Sequence, residues 1–168
     1  MQASQTPNGT AVITGGGRGI GRAIAVALGG AGFPVAVLAR STAELEQTTA
    51  ELRRQGTPAV GIACDVRDAR ATSAAIAEAE AALGPIAVLV NNAGVYGPKG
   101  PIEEVDWEQW TRAIEINLMG SVLPVRALIP HLRKLGHGKI VQLSGGGATS
   151  PLPGLRAYAV AKAAVVRF

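Results

Sequence analysis

Thr10-Ala11-Val12-Ile13-Thr14-Gly15-Gly16-Gly17-Arg18-Gly19-Ile20-Gly21 decides the fold. A short apolar, β-forming run enters a glycine-rich turn, and a helical pattern follows from about Arg18 to Gly30. Glycine there permits a positive φ and lets a ligand approach the backbone. The free N–H groups and the positive dipole end of the helix favour a pyrophosphate. Gly15, Gly19 and Gly21 fit the spacing G-x-x-x-G-x-G, whereas the six-residue pattern G-x-G-x-x-G cannot be placed. A Walker-type phosphate loop also fails, because Arg22-Ala23 follows Gly21 where Lys-Ser/Thr is required. A merely tight structural turn remains the bland alternative.

Outward from this unit, β-rich runs alternate with helix-length segments. Strands are expected at Pro34–Ala39, Ala59–Ala63, Ile86–Val90 and Lys139–Leu143. Helices are expected from Ser41 to about Gln55, from about Asp68 to Leu83, and from about Asp106 to Leu135, with a bend at Pro124. A last helix begins near Leu155 and is still running at Phe168. Continuous apolar strands with helices between them imply an α/β fold: a doubly wound, Rossmann-like parallel sheet with helices on both faces. No repeat or linker divides residues 1–168, which read as a single dinucleotide-binding domain.

The chain has 168 residues, net charge +4, 48% hydrophobic content and 17% charged residues, a composition that excludes whole-chain disorder. Its basic residues are scattered, with Arg53-Arg54 and Arg133-Lys134 the densest pairs, so no nucleic-acid stripe is expected. A single cysteine, Cys64, excludes an internal disulfide framework and is compatible with a reducing compartment. No stretch is expected to approach the ~20 apolar residues of a membrane helix, and the segment Met1–Gly9 lacks the features of a secretory signal. The expectation is a soluble, cytoplasmic protein without a membrane partner.

The end of the second strand selects the dinucleotide. An NAD site places Asp or Glu there, and an NADP site uses a nearby Arg. Arg40-Ser41 occupies the region with no carboxylate in view, and Arg18 adds a second cation. NADP(H) is therefore preferred over NAD(H), unless Arg40 is an ordinary solvated charge. Further on, Tyr158-Ala159-Val160-Ala161-Lys162 puts a phenol and an amine on one helical face. A lysine ammonium beside the phenol is expected to lower its pKa, making Tyr158 an acid–base group for a carbonyl receiving hydride.

With these residues in place, the sequence resembles the short-chain dehydrogenase/reductase family from Thr14 to Phe168. Thr14 to Gly21, with Gly17, Arg18 and Ile20 inside it, matches the family's Thr-Gly-x-x-x-Gly-x-Gly turn. Asp65-Val66 matches the pair that holds the adenine ring. Asn91-Asn92-Ala93-Gly94 matches the Asn-Asn-Ala-Gly signature, which braces the sheet and lines the cofactor. Asn117 lies where the family's catalytic Asn bends the long helix and anchors a proton-relay water. Tyr158 and Lys162 match Tyr-x-x-x-Lys, which implies that Lys162 also binds the nicotinamide ribose. Each has a plainer alternative: Asp65 as a helix cap, Asn91 and Asn92 as turn residues, Asn117 as a satisfied polar group. The resemblance further implies a small carbonyl or alcohol substrate and a homo-oligomer, a dimer or tetramer, at full length.

Two departures stand out. The family carries Ser-Ser after strand five, the second serine polarising the substrate; here the run is Ser144-Gly145-Gly146-Gly147. Ser144 is the first candidate for that hydroxyl, with Thr149 and Ser150 as substitutes. The family also reaches roughly 250 residues as one domain, so the chain reads as C-terminally truncated, lacking its last strands and substrate lid. A binding-only module or an inactive fragment is the rival reading.

Cys64, His131 and His137 have no zinc spacing, so no metal is expected. No Gly-x-Ser-x-Gly elbow supports a hydrolase. Trp107 and Trp110 read as packing at the start of the long helix.

Overall fold

A computed structural model describes residues 9–168; the leader reading of Met1–Gly9 falls on residues almost wholly outside that range. Five strands form one sheet: β1 (Thr10–Thr14), β2 (Val35–Ala39), β3 (Ala59–Ala63), β4 (Ile86–Asn91) and β5 (Lys139–Gln142). Their order is β3-β2-β1-β4-β5 and every pairing is parallel. The helices are α1 (Gly19–Gly30), α2 (Thr42–Arg54), α3 (Ala69–Leu83), α4 (Trp107–Ile114), α5 (Gly120–Leu135) and α6 (Arg156–Arg167).

Side-chain alternation along the strands builds two cores, one on each face of the sheet. Ala11 and Ile13 of β1 pack with Val35 and Val37 of β2 against Ala25, Leu45 and Leu52 of α1 and α2. Val12, Ala36 and Leu38 point the other way, to Ala75, Ile76 and Ala79 of α3 and Leu128 of α5. Strand order reverses between β1 and β4, and this switch point opens a crevice at the strands' carboxyl ends. β5 is an edge strand, with Val141 exposed.

Short polar residues start three of the helices. Ser41 Oγ accepts from the Glu44 N–H at 3.3 Å, Asp68 Oδ1 from Arg70 and Ala71 at 2.8 and 3.0 Å, and Asp106 Oδ1 from Gln109 at 2.7 Å.

The long helix expected from Asp106 to Leu135 is interrupted by a π turn at Glu115–Met119, ahead of Pro124. Asn117 Nδ2 takes the Ala113 carbonyl at 2.8 Å, the acceptor its own main-chain N–H would use in a regular α-helix. Ser121 Oγ likewise takes the Asn117 carbonyl at 2.9 Å, and the Gly120 N–H reaches back to Glu115. Side-chain competition for main-chain acceptors accompanies the break.

Contrary to the expectation above, Trp107–Leu135 is long and apolar enough to cross a membrane by length and composition. The apolarity belongs to a core-facing side, where Leu123 and Leu128 are buried. Trp107 and Trp110 stack on each other with ring centroids 5.0 Å apart, Trp107 largely exposed.

Candidate active site

One cleft of about 740 Å³ opens at the switch point. It is lined by Gly15, Gly17, Arg18, Gly19, Ile20, Gly21, Arg40, Asp65, Val66, Asn92, Ala93, Gly94, Ser144, Tyr158 and Lys162. The site residues expected from sequence are thus brought together, except Asn117 and the substitute hydroxyls Thr149 and Ser150.

The glycine turn divides its labour. Gly15 and Gly19 sit at φ +64° and +56°, a region that side chains disfavour. Gly17 and Gly21 are needed for space. A Cβ at 17 would lie 2.9 Å from Glu44 Cβ, and one at 21 would collide with the Gly15 carbonyl and Asn92 Nδ2. Arg18, in extended conformation before α1, offers no side-chain cap, and no acid occupies the first turn. The N–H groups opening α1 are therefore left for an anion. This cradle, together with the cleft's size, fits a dinucleotide.

Thr14 joins the turn to the loop after β4. Its buried Oγ1 accepts from the N–H groups of Asn92 and Ala93, both at 3.1 Å. Asn92 Nδ2 returns two bonds, to the Thr14 and Gly15 carbonyls at 3.0 and 3.1 Å. Asn91 braces α5 by donating to the Ser121 carbonyl at 3.2 Å.

Asn117 is fully buried. Besides its bond to Ala113, Nδ2 donates to the Val95 carbonyl at 2.7 Å, and Oδ1 accepts from the Val95 N–H at 3.2 Å. The carboxamide shapes the π turn and the loop after β4; it does not reach the cleft.

At the end of the cleft lined by Arg18 and Arg40, the expectation of two cations without an acid needs correction. Glu44, one turn into α2, lines the cleft beside Arg40, and its Oε1 lies 3.4 Å from Arg18 Nε. The packing of α2 on Gly17 holds it there. Asp65 is gripped by Arg67, through Nε at 3.1 Å to both carboxylate oxygens and Nη2 at 2.7 Å. Those bonds to Arg67 first, and the more distant Arg40 charge last, hold the Asp65 carboxyl below its ordinary value.

At the other end, Tyr158 and Lys162 share a face of α6, with the ammonium 5.7 Å from the Tyr158 ring centre. Lys162 is buried and donates to the Leu143 carbonyl at 2.6 Å. A Cβ at Gly145 would collide with the Tyr158 hydroxyl, so the glycine leaves room for the phenol in this position. Ser144 stands exposed on the cleft wall, while Ser150 donates to the Gly146 carbonyl outside it. Burial first, and then Tyr96, whose ring centre is 5.2 Å away, push the Tyr158 phenol above its ordinary value. This differs in sign from the lowering expected of a neighbouring amine. Burial also pushes Lys162 down, which weakens the ammonium as a source of such lowering. Tyr96, Glu44, Leu143 and Ile116 line the cleft without having been legible as site residues.

A family model described as short chain dehydrogenase matches residues 9–168. A short chain dehydrogenase of Pseudocercospora fijiensis is 36% identical over 161 residues, covering 95% of this chain and 52% of the relative. The crystal structure of a variant actinorhodin polyketide ketoreductase with NADPH superposes with TM-score 0.92 at 33% identity, covering 99% of this chain and 64% of that one. An NAD+-bound xylitol dehydrogenase superposes at 0.93 with 26% identity, covering 97% and 63%. The chain thus spans about half the length of the first relative and under two thirds of the two structures.

Proposed function

The chain belongs to the short-chain dehydrogenase family, and from that premise we propose that it is an NADP(H)-preferring oxidoreductase interconverting a small carbonyl compound and its alcohol. The observation that carries the reading is the meeting of the glycine turn, Arg40, Tyr158 and Lys162 in one cleft. In this assignment, Gly17 to Gly21 and the start of α1 hold the pyrophosphate, with Asp65 and Val66 at the adenine. Arg18 and Arg40 attract the 2′-phosphate; Asn92, Ala93, Gly94 and Lys162 hold the nicotinamide ribose end. The bound nicotinamide supplies or accepts the hydride.

A phenol of ordinary pKa 10.0 is protonated at neutral pH, and burial and Tyr96 push Tyr158 further in that direction. It is therefore set up as a general acid toward a carbonyl oxygen. In the alcohol direction the same oxygen must take a proton, and Lys162, one turn along α6, is the cation placed to steady the phenolate. Ser144, exposed on the cleft wall, is the hydroxyl proposed for the substrate oxygen, since Gly145 carries no side chain. Asn117 acts as a positioning residue through the π turn and the Val95 loop.

Tyr158→Phe tests this mechanism. Turnover of an aldehyde and ketone panel should fall by about 10³-fold or more, with NADPH affinity changed by less than about twofold. Retained turnover would overturn the assignment. Ser144→Ala should lower kcat by about 10–100-fold; unchanged reduction removes Ser144 from the mechanism. One observation favours a binding-only module instead: no hydroxyl is present at Gly145. NADPH binding by the unaltered chain without turnover across the panel would select that reading.

A further inference from the structure

We propose that Glu44 is a specificity-determining residue that narrows the preference for NADP(H) over NAD(H) by competing with a 2′-phosphate for Arg18. The proposal rests on the dinucleotide reading above and deepens it at the adenosine end.

Ser41-Thr42-Ala43-Glu44 has the spacing of a capping box, in which the glutamate would reach back to the N–H of the capping residue. Only half of the box is made. Ser41 Oγ accepts from the Glu44 N–H, but the Glu44 carboxylate turns to Arg18. Its position is fixed from both sides. Glu44 Cβ rests on Gly17, and Thr48 Oγ1, one turn further along α2, holds the Gly17 carbonyl at 2.9 Å. A Cβ built on Gly17 would also lie 3.3 Å from Glu44 Oε2, so the carboxylate overlies the glycine turn. Glu44, Arg18, Arg40 and Ser41 all line the same cleft. A phosphate arriving there meets two cations and one anion.

The two cofactors feel this anion with opposite sign. A 2′-phosphate carries close to two negative charges, so it must displace Glu44 from Arg18 and then stand near the freed carboxylate. At about 5 Å in a water-like dielectric that repulsion amounts to about a tenfold loss of affinity. A 2′-hydroxyl can instead donate to the carboxylate, as it does in NAD-selective sites of this architecture. Glu44 therefore weakens NADP(H) and gives NAD(H) a partner. The Arg18 side chain is largely exposed and that of Glu44 partly so, and salt should damp the effect.

The test measures NADPH and NADH dissociation constants by calorimetry for the 168-residue chain and the variants Glu44→Gln, Arg18→Met and the double variant. Glu44→Gln keeps the shape and the helical position. It should raise the NADPH-to-NADH affinity ratio by about tenfold at low salt, and by less at high salt. In the Arg18→Met background the same change should have a clearly different effect, because the two residues are coupled. A ratio moved by less than about twofold in Glu44→Gln, or an equal Glu44 effect with and without Arg18, overturns the inference and leaves the dinucleotide site standing. Failure of the unaltered chain to bind either nucleotide overturns the site reading itself, and the inference with it. Glu44→Ala serves as the second variant should Glu44→Gln alter the thermal midpoint.

Discussion

The buried ammonium of Lys162 donates to the main-chain carbonyl of Leu143 at 2.6 Å, tying α6 to the residue that follows β5. Burial is the cause that lowers the Lys162 pKa. Among the described residues no carboxylate pairs with Lys162, so the fold buries an amine where the proposed chemistry calls for a cation, a common conflict between stability and activity.

Lys162→Met follows from that relationship. It trades a charge-assisted bond for relief of desolvation, so stability at neutral pH should change by no more than about 1–2 kcal/mol. The pH dependence is more telling. Between the lowered native pKa and the 10.5 of an unperturbed lysine, the unfolded chain binds more protons than the native one. Stability of the unaltered chain should therefore gain from Lys162 as pH rises through that window, and lose that gain as pH falls through the native pKa. Tyr158 contributes with the opposite sign only above 10.0, so the two proteins are compared below that pH, where the phenol stays protonated in both and Lys162 is the group that differs. Urea unfolding across the alkaline range measures it; identical profiles would remove Lys162 as a buried titrating group.

Tyr96→Phe keeps an aromatic ring 5.2 Å from Tyr158 and deletes only the hydroxyl. Tyr96 raises the Tyr158 pKa, as the smaller cause beside burial. The variant should therefore ionise Tyr158 at lower pH. Alcohol oxidation, which needs the phenolate, should have its alkaline limb shifted toward neutral pH. Carbonyl reduction at neutral pH should change by less than about twofold, because Tyr158 stays protonated in both proteins. The pH profile of kcat in each direction checks this; an unshifted oxidative limb would mean Tyr96 does not govern the proton.

Asn117→Leu removes bonds to three main-chain groups: the Val95 N–H, the Val95 carbonyl and the Ala113 carbonyl. The Ala113 carbonyl could be recovered if the π turn relaxed to a regular helix; the two groups of Val95 could not. The cost should be about 2–4 kcal/mol, a fall in Tm on the order of 10 °C. Thermal and urea unfolding measure it. A loss below about 0.5 kcal/mol would show that the carboxamide does not hold the loop after β4.

The strand–turn–helix alternation was legible because β1 to β4 are largely apolar runs and the starts of α1 to α4 carry a glycine or a short polar residue; β5 (Lys-Ile-Val-Gln) and the start of α6 at Leu155-Arg156 lack these marks. Strand and helix limits deviate from expectation by only a residue or two; β4, for instance, runs on to Asn91. Features made by contacts distant in sequence were not legible. The π turn depends on a loop 22 residues away that engages Asn117. Glu44 reaches Arg18 where α2 packs on Gly17. The raised Tyr158 depends on burial and on Tyr96 from another loop. Glycine, arginine and tyrosine positions marked residues that the fold gathers in one cleft; the cleft's electrostatic balance required the packing.

Thr14→Val probes the joint between the glycine turn and the loop after β4. The substitution keeps the branched shape and β preference of a fully buried strand residue. It deletes the one oxygen that accepts from both Asn92 and Ala93. Two partly buried N–H groups then lose their acceptor, at about 1–3 kcal/mol each when no water replaces it. Stability should fall by about 2–4 kcal/mol in urea. Dinucleotide affinity should fall as well, because Asn92 also holds the Thr14 and Gly15 carbonyls that set the turn. Loss of affinity without loss of stability would place the Thr14 hydroxyl at the ligand; loss of stability alone would show that the turn keeps its shape without this brace.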